Sequence, residues 1–130
     1  MIGLDSSAVI DFFKGNKQLR VVLEDTNEPL VLNRISYLEI MFGIDFSKTA
    51  YELEEGFYDD LFKSLLVFEL NAKSSKKSSE VLWNLKKMGK TIELLDCTIA
   101  GVYLSNGIDK ILTRNKKHFE NVKGLKVISY

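Results

Sequence analysis

The stretch MIGLDSSAVIDFF, residues 1–13, joins a short apolar segment to the start of an amphipathic helix. Its first four residues are predicted to form a buried strand and Ala8–Phe13 to form the helix, with Ser6 and Ser7 as capping residues. Asp5 falls between them, where the hydrophobic pattern predicts burial. A buried carboxylate is costly unless a partner or a cation compensates it. The segment therefore predicts a strand, a helix and a functional acid between them.

Three other segments repeat this pattern of a polar residue at a position predicted to be buried. Glu39 lies in YLEI (37–40), Asp96 in LLDCTIA (94–100) and Asn115 in TRNKKHF (113–119). Together with Asp5 they give three carboxylates and an amide. Three ionised carboxylates repel one another unless a cation is present or one of them binds a proton. Hard divalent ions prefer oxygen ligands, so the residue types favour Mg²⁺ or Mn²⁺.

The rest of the chain alternates between short apolar runs and helical patterns. The predicted strands are Met1–Leu4, Leu30–Leu32, Leu65–Phe68, Lys110–Thr113 and Lys126–Ile128. The predicted helices are Ala8–Phe13, Leu19–Glu24, 36–46, Ala50–Phe62, a helix from Asn71 to about Met88, and Asp96–Ser105. Strands separated by helices of this length indicate an α/β fold with three layers, α/β/α, around a mostly parallel sheet.

The polar residues are expected to meet at one edge of that sheet, because ligands gather beyond the carboxyl ends of parallel strands. Asp5 and Asn115 each follow a predicted strand, and Asp96 opens a helix, where the helix dipole favours a negative group. Glu39 has a second interpretation, as the acid of a capping box with Ser36, and the two roles are not exclusive. The stripe of Ile35, Leu38, Phe42 and Phe46 is predicted to face the core.

Composition places the chain among globular proteins. It has 130 residues, 45% of them hydrophobic and 28% charged, which fits a single domain spanning 1–130. We expect a cytoplasmic protein, because there is no signal-peptide pattern, no apolar run of membrane length and a single cysteine, Cys97. The net charge is zero, but residues 1–70 hold 6 Lys/Arg and 13 Asp/Glu (−7), and residues 71–130 hold 12 and 5 (+7). Such asymmetry indicates either a solvated surface or a polyanion-binding side.

Asp5, Glu39 and Asp96 together resemble the acidic set of PIN-domain ribonucleases. The resemblance extends through LDSSAVIDFF, YLEIMFG, GKTIELLDCTIAG and ILTRNKKHFENVKGLKVI, in that order. Within that superfamily the compact single-domain chain resembles VapC, the toxin of VapBC toxin–antitoxin pairs. This resemblance implies a metal-dependent endoribonuclease that cleaves RNA, is often a homodimer, and is neutralised by an antitoxin protein.

Within that resemblance each site residue has an expected role. Asp5 and Asp96 are the expected direct metal ligands, and Glu39 binds directly or through water. Asn115 replaces a further acid found in many relatives, and its amide oxygen is a candidate ligand, directly or through water. Substrate binding is assigned to Arg114, Lys116 and Lys117. Thr113 is expected to orient the loop that follows the predicted strand Lys110–Thr113. We expect His118 to be structural, because it adjoins the predicted core residue Phe119.

Other classes of protein were weighed on the same residues. A phosphotransferase of the haloacid dehalogenase type would need an acid where Ser7 stands, and a dinucleotide-binding domain would need a glycine-rich turn after the first strand. The remaining alternatives are a PIN-like module that binds RNA or protein without cleavage, and a PIN nuclease of general RNA processing.

Overall fold

Five parallel strands form the central sheet of the computed structural model, which describes residues 1–130. They are β1 (Ile2–Leu4), β2 (Leu30–Asn33), β3 (Leu66–Phe68), β4 (Lys110–Thr113) and β5 (Lys126–Ser129). The order across the sheet is β3-β2-β1-β4-β5, and every neighbouring pair is parallel. Because all strands run in one direction, their carboxyl ends lie along one edge of the sheet.

Helices cover both faces of this sheet, which confirms the predicted three-layer α/β/α fold. They are α1 (Ser6–Phe13), α2 (Lys17–Glu24), α3 (Arg34–Phe42), α4 (Glu52–Ser64), α5 (Ala72–Lys87), α6 (Leu94–Ser105) and α7 (Lys116–Phe119), with a 3₁₀ turn at Thr49–Tyr51. Neighbouring strand residues point to opposite faces. Thus Val31 joins a core with α5 and α6, whereas Leu32 joins one with α1, α2, α3 and α4. None of the helices has the length and apolar character needed to cross a membrane.

Tyr103 fixes α6 against the middle of the sheet. Its side chain is fully buried, and its hydroxyl donates to the main-chain oxygen of Leu4 and accepts a hydrogen bond from Asn33 Nδ2 at 2.9 Å. The ring fits because Gly3 has no side chain, since a Cβ there would lie 2.5 Å from ring atoms of Tyr103. These contacts set the position of the helix that carries Asp96.

Helix α3 differs from its prediction in its start, its end and its buried face, and it stops at Phe42 instead of residue 46. It begins at Arg34, because the side chain of Asn33 caps it by accepting from Ser36 N at 2.8 Å. The alternative interpretation of Glu39, as the acid of a capping box with Ser36, is therefore wrong. The predicted core face is also wrong in part: Ile35 is buried, but Leu38, Phe42 and Phe46 are exposed, and the inner positions are taken by Ser36, Ile40 and Ile44.

Helices α1 and α6 also begin at residues other than those predicted, as do α2, at Lys17, and α4, at Glu52. Asp5 itself is the N-cap of α1, accepting from Ala8 N, so neither Ser6 nor Ser7 has that role. Helix α6 starts at Leu94, which places Asp96 inside the first turn rather than at its opening. The sequence pattern also did not indicate the four-residue helix α7, which follows β4.

Candidate active site

Asp5 occupies the end of β1 and is held by donors from two parts of the chain. Its Oδ1 accepts from Ser7 Oγ at 2.7 Å and from Ala8 N at 3.0 Å, and its Oδ2 accepts from Thr113 Oγ1 at 2.6 Å. The residue is 4% exposed. Burial raises the pKa of Asp5, while these hydrogen bonds and the nearby His118 act in the opposite direction. The carboxylate is therefore held in one orientation by its hydrogen bonds, while its burial disfavours the charged form.

Glu39 reaches the same edge from α3. Its Oε1 accepts a hydrogen bond from Ser6 Oγ at 2.5 Å, which ties it to the residue beside Asp5. Partial burial raises the pKa of Glu39, and the charges of Asp5 and Glu93 raise it further, against the hydrogen bond from Ser6. The side chain thus lies within electrostatic reach of the buried aspartate.

Asp96 completes the acidic group from the first turn of α6. Burial, together with the smaller effects of the charges of Glu39, Glu93 and Asp5, raises the pKa of Asp96 to about 6. His118 acts against them, with its Nδ1 2.9 Å from Asp96 Oδ2. The structure therefore brings together the three acids that were predicted from widely separated segments. Glu93 was not singled out from the sequence, although it lies only three residues before Asp96.

The loop after β4 closes the site. Thr113 is fully buried, and its Oγ1 both donates to Asp5 and accepts from Asn115 N at 2.9 Å. Asn115 is half-buried and its side chain does not cap α7. The amide is therefore not committed to the helix start and remains available to a ligand.

His118 lies in the site rather than in the core. We expected it to be structural because Phe119 beside it is buried, and Phe119 is indeed fully buried. The side chain of His118, however, is 46% exposed and contacts Asp96. The helical geometry of α7 explains the difference, since adjacent residues on a helix point in different directions.

Of the basic residues expected to bind substrate, one is already paired. Arg114 Nη1 donates to both carboxylate oxygens of the buried Asp11, at 2.8 and 3.1 Å, and Asp11 also accepts from the Tyr130 hydroxyl at 2.7 Å. Lys116 and Lys117 are exposed and have no ion-pair partner. They line an open groove with Arg114, Asn115, His118 and Glu120.

The donor set suits a hard divalent cation, because it consists of carboxylate and amide oxygens, and the carboxylates are close enough that the charge of Asp5 raises the pKa of both Glu39 and Asp96. No three Asp, Glu, His or Cys side chains are arranged around a common metal position. Each acid is instead directed at a protein partner: Asp5 at Thr113, Glu39 at Ser6, and Asp96 at His118. These residues fit a metal that is bound partly through water or after side-chain rotation.

Comparison with solved structures shows the same fold throughout. DNA-bound VapBC from Salmonella typhimurium matches with a TM-score of 0.82 at 18% identity, covering 99% of this chain and 98% of that chain. VapBC2 from Rickettsia felis, bound to a promoter DNA fragment, matches with a TM-score of 0.83 at 20% identity and covers 100% and 99%. VapBC-1 from nontypeable Haemophilus influenzae matches with a TM-score of 0.78 at 27% identity and covers 99% and 98%.

Comparison with protein families identifies the chain. No curated protein matches the sequence. The PIN domain, by contrast, matches residues 2–125, which is nearly the whole chain. PIN domains are nuclease-type hydrolases that generally depend on divalent metal ions. The protein therefore belongs to the PIN-domain family.

Proposed function

We propose that this protein is a divalent-metal-dependent endoribonuclease, built as one domain, and the toxin of a VapBC-type toxin–antitoxin pair. The observation that carries the proposal is the group formed by Asp5, Glu39 and Asp96 at the carboxyl edge of a PIN-domain sheet, where the charge of Asp5 raises the pKa of Glu39 and the charges of both raise the pKa of Asp96. Without a cation, carboxylates this close together destabilise the folded chain. Such clusters are typical of functional sites, and we therefore assign this group to catalysis.

We assign Mg²⁺ or Mn²⁺ to this group. Asp5 and Asp96 are the proposed direct ligands, Glu39 binds directly or through water, and Asn115 offers its amide oxygen. The cation supplies charge neutralisation at the scissile phosphate and lowers the pKa of the attacking water. Thr113 holds Asp5 in position, since second-shell hydrogen bonds orient metal ligands.

The remaining residues of the site act on the RNA and on the ligands. His118 holds Asp96 in position through its Nδ1. Lys116 and Lys117 are free to attract the RNA backbone, because neither is paired with an acid. Arg114 joins them only if it exchanges Asp11 for a phosphate, since its guanidinium is engaged on both oxygens of that residue.

The direct test of the enzyme is metal-dependent cleavage of RNA. We expect single-stranded RNA to be cut with Mg²⁺ or Mn²⁺ and to stay intact in EDTA. At a metal concentration about 100-fold above Kd, the free energy of unfolding should rise by about 2.7 kcal/mol. For a chain of this size that corresponds to a melting temperature higher by roughly 5–10 °C.

Three controls separate this proposal from its alternatives. A matched DNA of the same sequence should not be cut, and Asp96→Asn should lose both cleavage and the metal-induced thermal shift. If neither metal supports cleavage or raises the melting temperature, a PIN-like module that binds RNA or protein without cleaving it becomes the better description. Growth arrest on expression of the wild type, but not of Asp96→Asn, would favour a toxin over a nuclease of general RNA processing.

The proposed docking place of an antitoxin is a groove between α1, α2 and α4. This groove is lined only by apolar side chains: Leu4, Ala8, Phe12, Leu19, Leu23, Leu30, Leu61 and Leu65. An apolar groove between helices is suited to the apolar face of a partner helix. The similar solved structures include toxin–antitoxin complexes, and we propose that this groove holds the corresponding segment of an antitoxin.

The exposed apolar face of α3 supports the proposed homodimer. Leu38 and Phe42 lie four residues apart on one helix face and are 41% and 73% exposed, and Phe46 follows at 64%. Adjacent exposed apolar side chains of this kind are typical of interaction surfaces.

We expect Phe42→Glu to convert a dimer into a monomer in sedimentation, because it would bury a charge in the interface. Val21→Glu, at a 58% exposed position of α2, is the control and should leave the dimer intact. A wild type that is monomeric at high concentration would contradict this assignment.

A further inference from the structure

We propose that the outer face of α5 and the groove beside it form a second RNA-binding surface, separate from the acidic site, which engages single-stranded RNA of the substrate. This inference rests on the proposed ribonuclease function and extends it to substrate selection. We call this area the α5 surface; its key residues are Lys76, Trp83, Lys87 and Lys123.

The first observation is the excess of unpaired positive charge on α5. The helix carries five lysines, Lys73, Lys76, Lys77, Lys86 and Lys87, and a single acid, Glu80. Glu80 is bonded to Lys77 at 3.2 Å, and none of the other four lysines has an ion-pair partner. Unpaired lysines on one helix attract a polyanion, and each phosphate that they neutralise releases counterions. The charge asymmetry of the chain therefore has a definite location in the structure.

The second observation is an aromatic side chain within this basic face. The inner positions of α5 are Ser74, Val81 and Leu85, all buried, and Trp83 points away from them with 55% of its surface exposed. The Nζ atom of Lys86 lies 4.5 Å from the centroid of the indole ring. This exposure shows that Trp83 is not part of the core. Exposed aromatic rings among basic residues are the usual stacking platforms for single-stranded nucleic acid.

The third observation is a groove that continues from this face. It lies between α5 and residues 121–124 and has a volume of about 510 Å³. Its apolar lining includes Val81, Leu85, Leu104 and Val122. Its polar lining includes Lys77, Lys87, Lys123, Asn84, Asn121 and the acid Glu80, which is paired with Lys77. Lys87 lies both near Trp83 on the helix surface and in this groove, so the two areas are continuous. From Lys76 to Lys87 the helix extends about 16 Å, room for several nucleotides.

The chemistry favours RNA over an acidic protein as the ligand. A protein partner would need apolar surface to bury, but Val81, Leu85 and Val122 are themselves buried. The large exposed apolar side chains here are Trp83 on α5 and Met88 directly after it. The surface offers instead separated point charges, amide groups and one aromatic face. These match the phosphates, base edges and ring faces of a single strand. None of the α5 surface residues lines the grooves at Asp96 and Asn115.

The test measures binding of the full chain to a labelled, mixed-sequence single-stranded RNA of about 20 nucleotides, in EDTA so that no cleavage occurs. Combining Lys76→Gln, Lys87→Gln and Lys123→Gln should lower the affinity and reduce the slope of log K against log salt by about 2. Trp83→Ala should weaken binding about tenfold, and Trp83→Phe should retain most of it. The matched control replaces three lysines exposed elsewhere, Lys14, Lys17 and Lys63, with glutamine and should change affinity much less.

A cleavage measurement links the surface to the reaction. The preference for long RNA is the ratio of kcat/KM for the RNA of about 20 nucleotides to kcat/KM for a trinucleotide. With metal present, this ratio should be about tenfold lower for the triple lysine variant and for Trp83→Ala than for the wild type. If the wild type cleaves neither RNA, the proposed function fails, while the binding measurement still decides the α5 surface. Equal affinity losses in the lysine variant and its control would overturn the inference. So would a lysine variant that binds RNA normally but loses self-association in sedimentation, because the surface would then be a contact between protein chains.

Discussion

Asp5→Asn should reduce RNA cleavage by on the order of 10³-fold, equivalent to about 4 kcal/mol of transition-state stabilisation. The reason is that asparagine keeps the shape of the side chain but removes a charged oxygen from the proposed cation site. We expect the metal-induced rise in melting temperature to disappear as well. The measurements are single-turnover cleavage and thermal unfolding with and without Mn²⁺.

The same substitution should leave the fold intact. The asparagine Oδ1 can still accept from Ser7 Oγ and Ala8 N, as Asp5 Oδ1 does. Its Nδ2 would face Thr113 Oγ1, which now donates to Asp5. The Thr113 hydroxyl can rotate to donate its proton to Ser7 Oγ instead, 3.3 Å away, and can then accept a hydrogen bond from the asparagine Nδ2. Removing one of three repelling carboxylates also relieves a cost of folding. Without metal, the melting temperature should therefore stay the same or rise.

The control for Asp5→Asn is Asp109→Asn. Asp109 is exposed and precedes β4, so it lies toward the opposite edge of the sheet from the acidic group. This variant should cleave RNA at the wild-type rate and keep the metal-induced thermal shift. Cleavage by Asp5→Asn within about tenfold of the wild type would show that the aspartate is not a ligand of the catalytic cation, because loss of such a ligand costs more than loss of one supporting residue.

The features predicted well from the sequence depend on local pattern and on strand direction. The apolar runs before Asp5 and Thr113 form β1 and β4 at nearly the predicted boundaries. Once strands and helices alternate, a parallel sheet follows, and the ends of its strands meet at one edge. That reasoning brought Asp5 and Asp96 together in advance, although 91 residues separate them.

The features that were missed depend on partners distant in sequence. No local pattern indicates that Arg114 will engage Asp11, which lies 103 residues earlier, or that His118 will turn toward Asp96. The buried face of α3 was misjudged for a related reason. Leu38 and Phe42 are apolar and correctly spaced for a core, but a surface that binds another chain has the same spacing, and hydrophobic periodicity does not distinguish the two.

The largest expected loss of stability comes from Gly101, where α5 and α6 cross. A Cβ at this position would lie 2.1 Å from Ser78 Oγ, 2.6 Å from Ser78 N and 2.7 Å from Ser78 Cα. The side-chain contact could be relieved by rotation, but the two main-chain contacts require one helix to move away from the other. The position is fully inside the molecule, so the displaced helix would leave gaps that no other side chain fills.

Gly101→Ala should therefore lower the free energy of unfolding by about 3 kcal/mol, a value near the upper end for overpacked cores. The gain in helix propensity, up to about 1 kcal/mol, offsets only part of the strain. Because α6 also carries Asp96, we expect cleavage to fall together with the melting temperature. Gly56→Ala is the matched control: it lies in α4 with nothing within 4 Å of the added Cβ, and it should stabilise the chain slightly. Denaturant unfolding of the two variants measures the difference, and equal stabilities would mean that α5 and α6 do not pack as closely as their crossing at Gly101 requires.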